Sequence, residues 1–309
     1  MWEGLLAGIF WGVDTVVLGV ALAMTPFLST EQAIFLAPFV STFVHDAFST
    51  LWMLGYMGVR KQLGNVVKAL KTKSGKFIIL GALLGGPIGM SGYVAAIQYM
   101  GPAYTAIISA TFPALGALLS YIFLKEKMSK VQLLGLGVSI LGVIGLSYVP
   151  AAGAGPKNLL LGLLFAFICV LGWALEAVIC AYGMKDPNVN DEQALQIRQA
   201  TSAIFYGAIL LPILSGWSFT VSILPTKITV FILLAALFGT VSYLLYYRSI
   251  NKIGAGKAMA LNITYSAWAM VFALAFMKEI PSIQSIVFGV VIICGSLVAA
   301  NGIKMKKKS

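Results

Sequence analysis

The stretches GPAYTAIISATFPALGALLSYIFLKE (101–126) and GAGKAMALNITYSAWAMVFALAFMKE (254–279) are one pattern written twice. A shift of 153 residues lays Gly101 on Gly254, Thr111 on Thr264, Phe123 on Phe276 and Lys125-Glu126 on Lys278-Glu279. The register continues upstream, where Gly86 meets Gly239, Tyr93 meets Tyr246 and Ile97 meets Ile250. Each copy is a long apolar run closed by a charged pair. A helix needs about 20 apolar residues to cross the hydrocarbon of a bilayer. The first reading is therefore a membrane helix present in two copies, and an all-α membrane protein.

Working outward from these copies, apolar runs of spanning length fall at 4–24, 32–56, 77–99, 102–123, 131–149, 159–183, 194–214, 228–249, 255–277 and 282–303. Ten transmembrane helices are predicted. Of the 309 residues, 60% are hydrophobic and only 10% charged, against about 25% charged in a soluble domain. Such a chain has too little polar surface to cover a body in water. Its 32 glycines suit helices packed closely in lipid. The first residues lack the basic region of a cleaved signal peptide, so the first run is expected to stay as a span. The longest connection, 57–76, carries Arg60, Lys61, Lys68, Lys71, Lys73 and Lys76 and reads as a separate interfacial helix. Cys169, Cys180 and Cys294 all sit inside apolar runs. They form neither a disulfide framework nor a metal cluster, and no metal or cofactor is expected.

Charge sets the topology. With the N-terminus cytoplasmic, only Lys157, Lys227 and Lys278 of the 21 Lys and Arg fall outside. Cationic loops stay on the cytoplasmic side, so both termini are predicted inside, in a multi-pass protein of the cell (inner) membrane. The same asymmetry accounts for the net charge of +11 without a nucleic-acid partner. The repeat divides the chain into 1–150 and 151–309, each with five spans. Because five is odd, the second copy enters the bilayer upside down, and Lys125-Glu126 and Lys278-Glu279 face opposite sides. Near the start of each half, Trp11-x-x-Asp14 corresponds to Trp173-x-x-Glu176. Inverted repeats of this kind hold a substrate near the midplane, between the halves. Transport is the expected activity.

The residues also resemble a family. The segments 101–146 and 254–299 look like the EamA repeat of the drug/metabolite transporter superfamily, which implies ten helices in two inverted five-helix repeats. A narrower likeness is to the LicB-type choline permeases. It is carried by GLLAGIFWG (4–12), HDAFS (45–49), GALLGGPIGM (81–90), LQIRQATS (195–202) and SYLLYYRSIN (242–251). That likeness implies proton-coupled uptake of choline or a similar quaternary amine. An exporter of amino acids or other small metabolites on the same fold is the alternative.

An ionisable side chain at membrane depth is costly and marks a functional site by default. Asp14, His45, Asp46 and Glu176 are such residues. The carboxylates, with no deep lysine among them, favour a cationic or proton-carrying substrate. A desolvated carboxylate takes up a proton more readily than one in water, so proton coupling is assigned to Glu176 or to His45 and Asp46. A structural hydrogen-bond pair between helices is the other reading of His45 and Asp46. A quaternary ammonium offers no N–H donors, so it needs aromatic faces and a diffuse counter-charge. Trp11, Tyr93, Trp173, Tyr243, Tyr246, Tyr265 and Trp268, with Asp14 and Glu176, are the candidate substrate-binding residues. Interfacial belts or packing would use the same aromatics. Arg198 either gates the cytoplasmic side by pairing with an acid or snorkels to the headgroups.

The backbone adds breaks. Pro87 in GALLGGPIGMSG should disturb its helix, with Gly239-Thr240 at the matching position, and Pro38, Pro113 and Pro212 can add kinks. Gly4, Gly8 and Gly12 make a GxxxGxxxG face, most simply a contact inside the molecule. Lys125-Glu126 and Lys278-Glu279 read as solvated charges. GAGKA (254–258) lacks the first glycine and the hydroxyl residue of a phosphate loop, and the sole histidine has no nucleophile beside it. An enzyme is not expected.

Overall fold

A computed structural model describes residues 1–147, 158–278 and 280–301, and the described residues contain helices and turns but no strand. Lys157, Glu279, the tail lysines Lys304, Lys306, Lys307 and Lys308, and the boundary between the two halves lie outside the described residues. The main helices are α1 (Trp2–Leu22), α2 (Glu31–Val59), α3 (Lys73–Met100), α4 (Phe112–Leu124), α5 (Lys130–Ser147), α6 (Leu159–Gly183), α7 (Asp191–Ile213), α8 (Lys227–Ile253), α9 (Ala255–Met277) and α10 (Ile283–Asn301).

By length and composition, seven described helices can cross a membrane: α1, α2, α3, α6, α8, α9 and α10. An eighth is gained if α7 is joined to Trp217–Ile223, which turns away from it by 119°. Helices α4 and α5 are apolar but shorter. The continuous run read over 102–123 is in fact split, because the helix Pro102–Ser109 ends in a turn at Ala110-Thr111 before α4 begins. Pro113 follows directly; it offers no N–H and restricts the residue ahead of it. Large apolar side chains such as Leu160, Ile213 and Ile283 are exposed on the outer surface, as a lipid-facing surface requires.

Helix starts follow local chemistry. Thr30 and Asn158 accept hydrogen bonds from Ala33 N and Leu161 N, and Asn190 forms a capping box with Gln193 at the head of α7. Each cap satisfies backbone donors that the first turn leaves free. The basic connection forms a separate amphipathic helix, Leu63–Lys71, with Val66 and Ala69 turned inward.

Backbone irregularities come in matched pairs. Gly101 and Gly254 take φ of 86° and 88°, a region open mainly to glycine. Lys125 and Lys278 both end their helices at φ 58°. The turn at Ala110-Thr111 is matched by one at Ile263-Thr264. Lys61 and Ser215, at φ 57° and 52°, close α2 and α7 ahead of the short helices Leu63–Lys71 and Trp217–Ile223. Glu126 departs from the expectation of a solvated charge. It is half-buried, and its Oε2 accepts from Gly256 N at 3.3 Å, capping the start of α9.

Glycine decides the packing. A side chain at Gly8 would sit 2.3 Å from Thr264 Oγ1, and one at Gly12 2.7 Å from Trp268 Cβ. The GxxxGxxxG face is therefore an internal seam of α1 with α8 and α9. Helices α3 and α6 meet the same way through Gly85, Gly89, Gly92 and Gly172. Gly135, Gly142 and Gly295 join α5 to α10, where Ser139 Oγ lies 2.7 Å from Ser296 Oγ. Helix α1 thus packs mainly on later helices, and α3 on α6, so helices from early and late in the chain interleave.

The prolines act unequally. Around Pro87 the chain winds as a π-helix over Leu84–Gly89, and another π turn, Tyr206–Leu210, precedes Pro212. Helix α2 runs on through Pro38. Helix α8 is continuous across Gly239-Thr240, so the break in α3 has no counterpart there.

Candidate functional site

Five buried ionisable side chains from four helices form one chain. Helix α1 supplies Asp14, α2 supplies His45 and Asp46, α6 supplies Glu176 and α7 supplies Arg198; each is less than 9% exposed. Asp14 Oδ1 lies 3.2 Å from His45 Nε2, and His45 Nδ1 lies 3.4 Å from Asp46 Oδ1. Arg198 then bridges onward: its NH1 lies 3.4 Å from Asp46 Oδ2, and its Nε donates to Glu176 Oε1 at 2.7 Å. The same NH1 donates to Gln199 Oε1 at 2.8 Å, and NH2 donates to the Tyr243 hydroxyl at 3.1 Å. Arg198 is not at the headgroups. A guanidinium with several partners compensates a buried carboxylate far better than a single contact does.

Missing side chains make the room. A Cβ at Gly85 would stand 1.7 Å from Glu176 Oε2, and one at Gly239 would stand 2.8 Å from His45 Nε2 and 3.0 Å from Asp14 Oδ2. Glycine on α3 thus admits the α6 carboxylate, and glycine on α8 admits the α1 carboxylate. The π turn of α3 lies at this contact, where Gly172 approaches Leu84 O. Gly239 therefore serves as space beside the ions, and its helix is intact.

The aromatics gather in two groups. Trp11 lies 4.9 Å from Tyr243 and 5.6 Å from Tyr265, ring centre to ring centre. Tyr93 stacks on Trp173 at 5.6 Å, and Phe112 meets the same indole edge-on at 5.7 Å. Trp173 stands one turn before Glu176 on α6, which places indole and carboxylate on one face. The Arg198 guanidinium lies 4.6 Å from the centre of the Tyr243 ring. Tyr246 touches Tyr243 and Tyr247 but is buried in the helix core. Trp268 makes no ring contact among the described residues; it packs on Gly12, and its Nε1 has no hydrogen-bond partner.

A profile of the EamA-like transporter family matches residues 2–148 and 160–301. The chain belongs to that family. The transporter is also 39% identical to Protein LicB of Haemophilus influenzae over 202 residues, which cover 65% of this chain and 66%, just under two thirds, of LicB. An uncharacterized transporter of Clostridium kluyveri is 25% identical over 82% of this chain and 83% of its own. A crystal structure superposes with a TM-score of 0.65 over 96% of both chains at 16% identity, which supports the fold alone. The family assignment agrees with a transporter and not an enzyme.

The transporter also carries an ion cluster that the sequence reading did not single out. At the end where α2 finishes and α7 begins, Glu192 accepts from Arg60 at 2.5 Å, Tyr56 Oη at 3.0 Å and Arg248 at 3.0 Å. Arg248 also reaches Asp191 at 2.8 Å, and Lys252 pairs with Glu3. The Glu192 hydrogen bond holds the proton of Arg60 more firmly than usual. The Glu176 neighbour Gly85 was likewise not singled out. The glycine run did mark a helix break, though not which residue would touch the carboxylate.

Proposed function

We propose that this transporter imports choline or a similar quaternary ammonium compound together with a proton, by alternating access. The observation that carries the reading is the buried ion chain. With all three carboxylates ionised, Asp14, Asp46 and Glu176 would bring three negative charges against the one positive charge of Arg198. A proton on His45 and one monovalent cation would make the group neutral. Uncompensated charge in a low-dielectric interior is expensive, so a loaded site of cation plus proton is favoured over either alone. Trp11, Tyr93, Trp173, Tyr243 and Tyr265 supply the ring faces, each worth roughly 0.5–2 kcal/mol to a cation. Likeness to the LicB-type permeases supports choline as the first ligand to try.

The carrier would be built as two inverted five-helix halves, 1–150 and 151–309, with ten crossings and both termini cytoplasmic. The matched pairs of irregular residues support the duplication, and the interleaved α1 and α6 support a site shared between halves. The same ion chain offers proton coupling to Glu176, or to His45 with Asp46. Export of an amino acid is the second reading, because Arg198 could receive a substrate carboxylate. Three carboxylates face one guanidinium in this group, a balance that weighs for the cation. Uptake of radiolabelled choline, betaine, carnitine and aromatic amino acids into proteoliposomes decides. Choline should accumulate and phenylalanine should not; the reverse order would replace this reading with the second one.

A further inference from the structure

We infer that Arg198 is a tethered stand-in for the transported cation, holding its counter-charge and its ring until the cation arrives. The inference rests on the cation reading above. A quaternary ammonium requires a carboxylate and an aromatic face, and Arg198 occupies one of each. Its Nε sits 2.7 Å from Glu176 Oε1, and its guanidinium lies 4.6 Å from the centre of the Tyr243 ring. The other oxygen of Glu176 faces α3, where a Cβ at Gly85 would stand 1.7 Å away. With α3 against one oxygen and the guanidinium against the other, an incoming cation that pairs with the carboxylate competes with Arg198 for it.

Arg198 has somewhere to go. Its NH1 already touches Gln199 at 2.8 Å, and its 3.4 Å contact with Asp46 is long for an ion pair. Charge-assisted bonds settle near 2.7–2.9 Å, so a swing toward Asp46 would shorten that contact while freeing Glu176 and the ring. When the cation leaves, Arg198 returns and no carboxylate is stranded without a partner. A carrier that must cross back empty needs such compensation, because removing one partner of a buried pair is strongly destabilising. Arg198 would thus be the moving part of the gate.

The test measures choline binding to the purified protein, together with net uptake and choline–choline exchange in proteoliposomes. Arg198→Gln should bind choline about tenfold tighter, the lower range for one hydrogen bond to a charged group. It should keep exchange while losing net uptake, since only the empty return needs the arginine. Binding that is unchanged or weaker, or loss of exchange along with net uptake, overturns the inference. If Arg198→Gln does not fold, Tyr243→Phe keeps the ring and removes the hydroxyl that holds Arg198. That variant should tighten choline severalfold, and equal or weaker binding again overturns the inference. Failure of the wild-type protein to bind choline at all instead removes the cation reading itself.

Discussion

Gly85 is the residue on which the carboxylate site turns. Its missing side chain leaves the space that Glu176 Oε2 fills. Gly85→Ala must therefore push the carboxylate out of line with Arg198. Overpacking of this kind costs about 1–3 kcal/mol, and uptake should fall at least about tenfold, as a shift of one such bond implies. Thermal unfolding in detergent and uptake into proteoliposomes check both effects. Gly19→Ala is the control, because nothing lies within 4 Å of that position, and it should change neither. Asp14, Asp46, Glu176, Trp11 and Trp173 were legible in the sequence because charge and indole stand out against apolar runs. Their partner was half legible. Arg198 could be seen as a cation able to pair with an acid, but its contacts with Glu176 and Asp46 join residues 22 and 152 positions apart. No local spacing records such contacts. The sequence reading counted no deep lysine and so understated the buried positive charge.

Helix ends show the same division between local and distant causes. The disturbance at Pro87 could be read from neighbouring residues, since a missing N–H acts within one turn. The role of Glu126 could not, because it caps a helix 130 positions further on. Glu126→Ala should free the Gly256 N–H and lower stability by about 1 kcal/mol, the usual cost of a lost cap. The checks are thermal unfolding and faster hydrogen exchange at the first turn of α9, with α6 unchanged. Apolar run lengths overstated α4, since hydropathy does not register the turn at Ala110-Thr111. They served α8 well, where Gly239 looked like a weak point yet sits in an unbroken helix. There the missing side chain makes room for His45 and Asp14.

For the whole molecule, duplication and orientation are the claims with the widest consequences. The repeat offset was legible because irregular positions bear glycine, threonine and lysine in both copies, and those positions share backbone angles. The interleaving of α1 with α8 and α9 could not be read, as it follows from small-residue seams whose partners are far along the chain. Orientation is checked with two exposed positions on opposite predicted sides. In a variant lacking the native cysteines, Ser29→Cys should react with an impermeant maleimide added to intact cells. Lys71→Cys should react only after permeabilisation; the opposite pattern would place the termini outside.

The most direct measurement of the central claim is accumulation of radiolabelled choline in proteoliposomes under an imposed pH gradient, with wild-type protein and Glu176→Gln side by side. With acid outside, the wild type should concentrate choline above its external level and lose it when the gradient is collapsed, and the variant should not. Choline that only equilibrates, or accumulation indifferent to the gradient in the wild type, would contradict a buried ion chain that carries a proton with its cation.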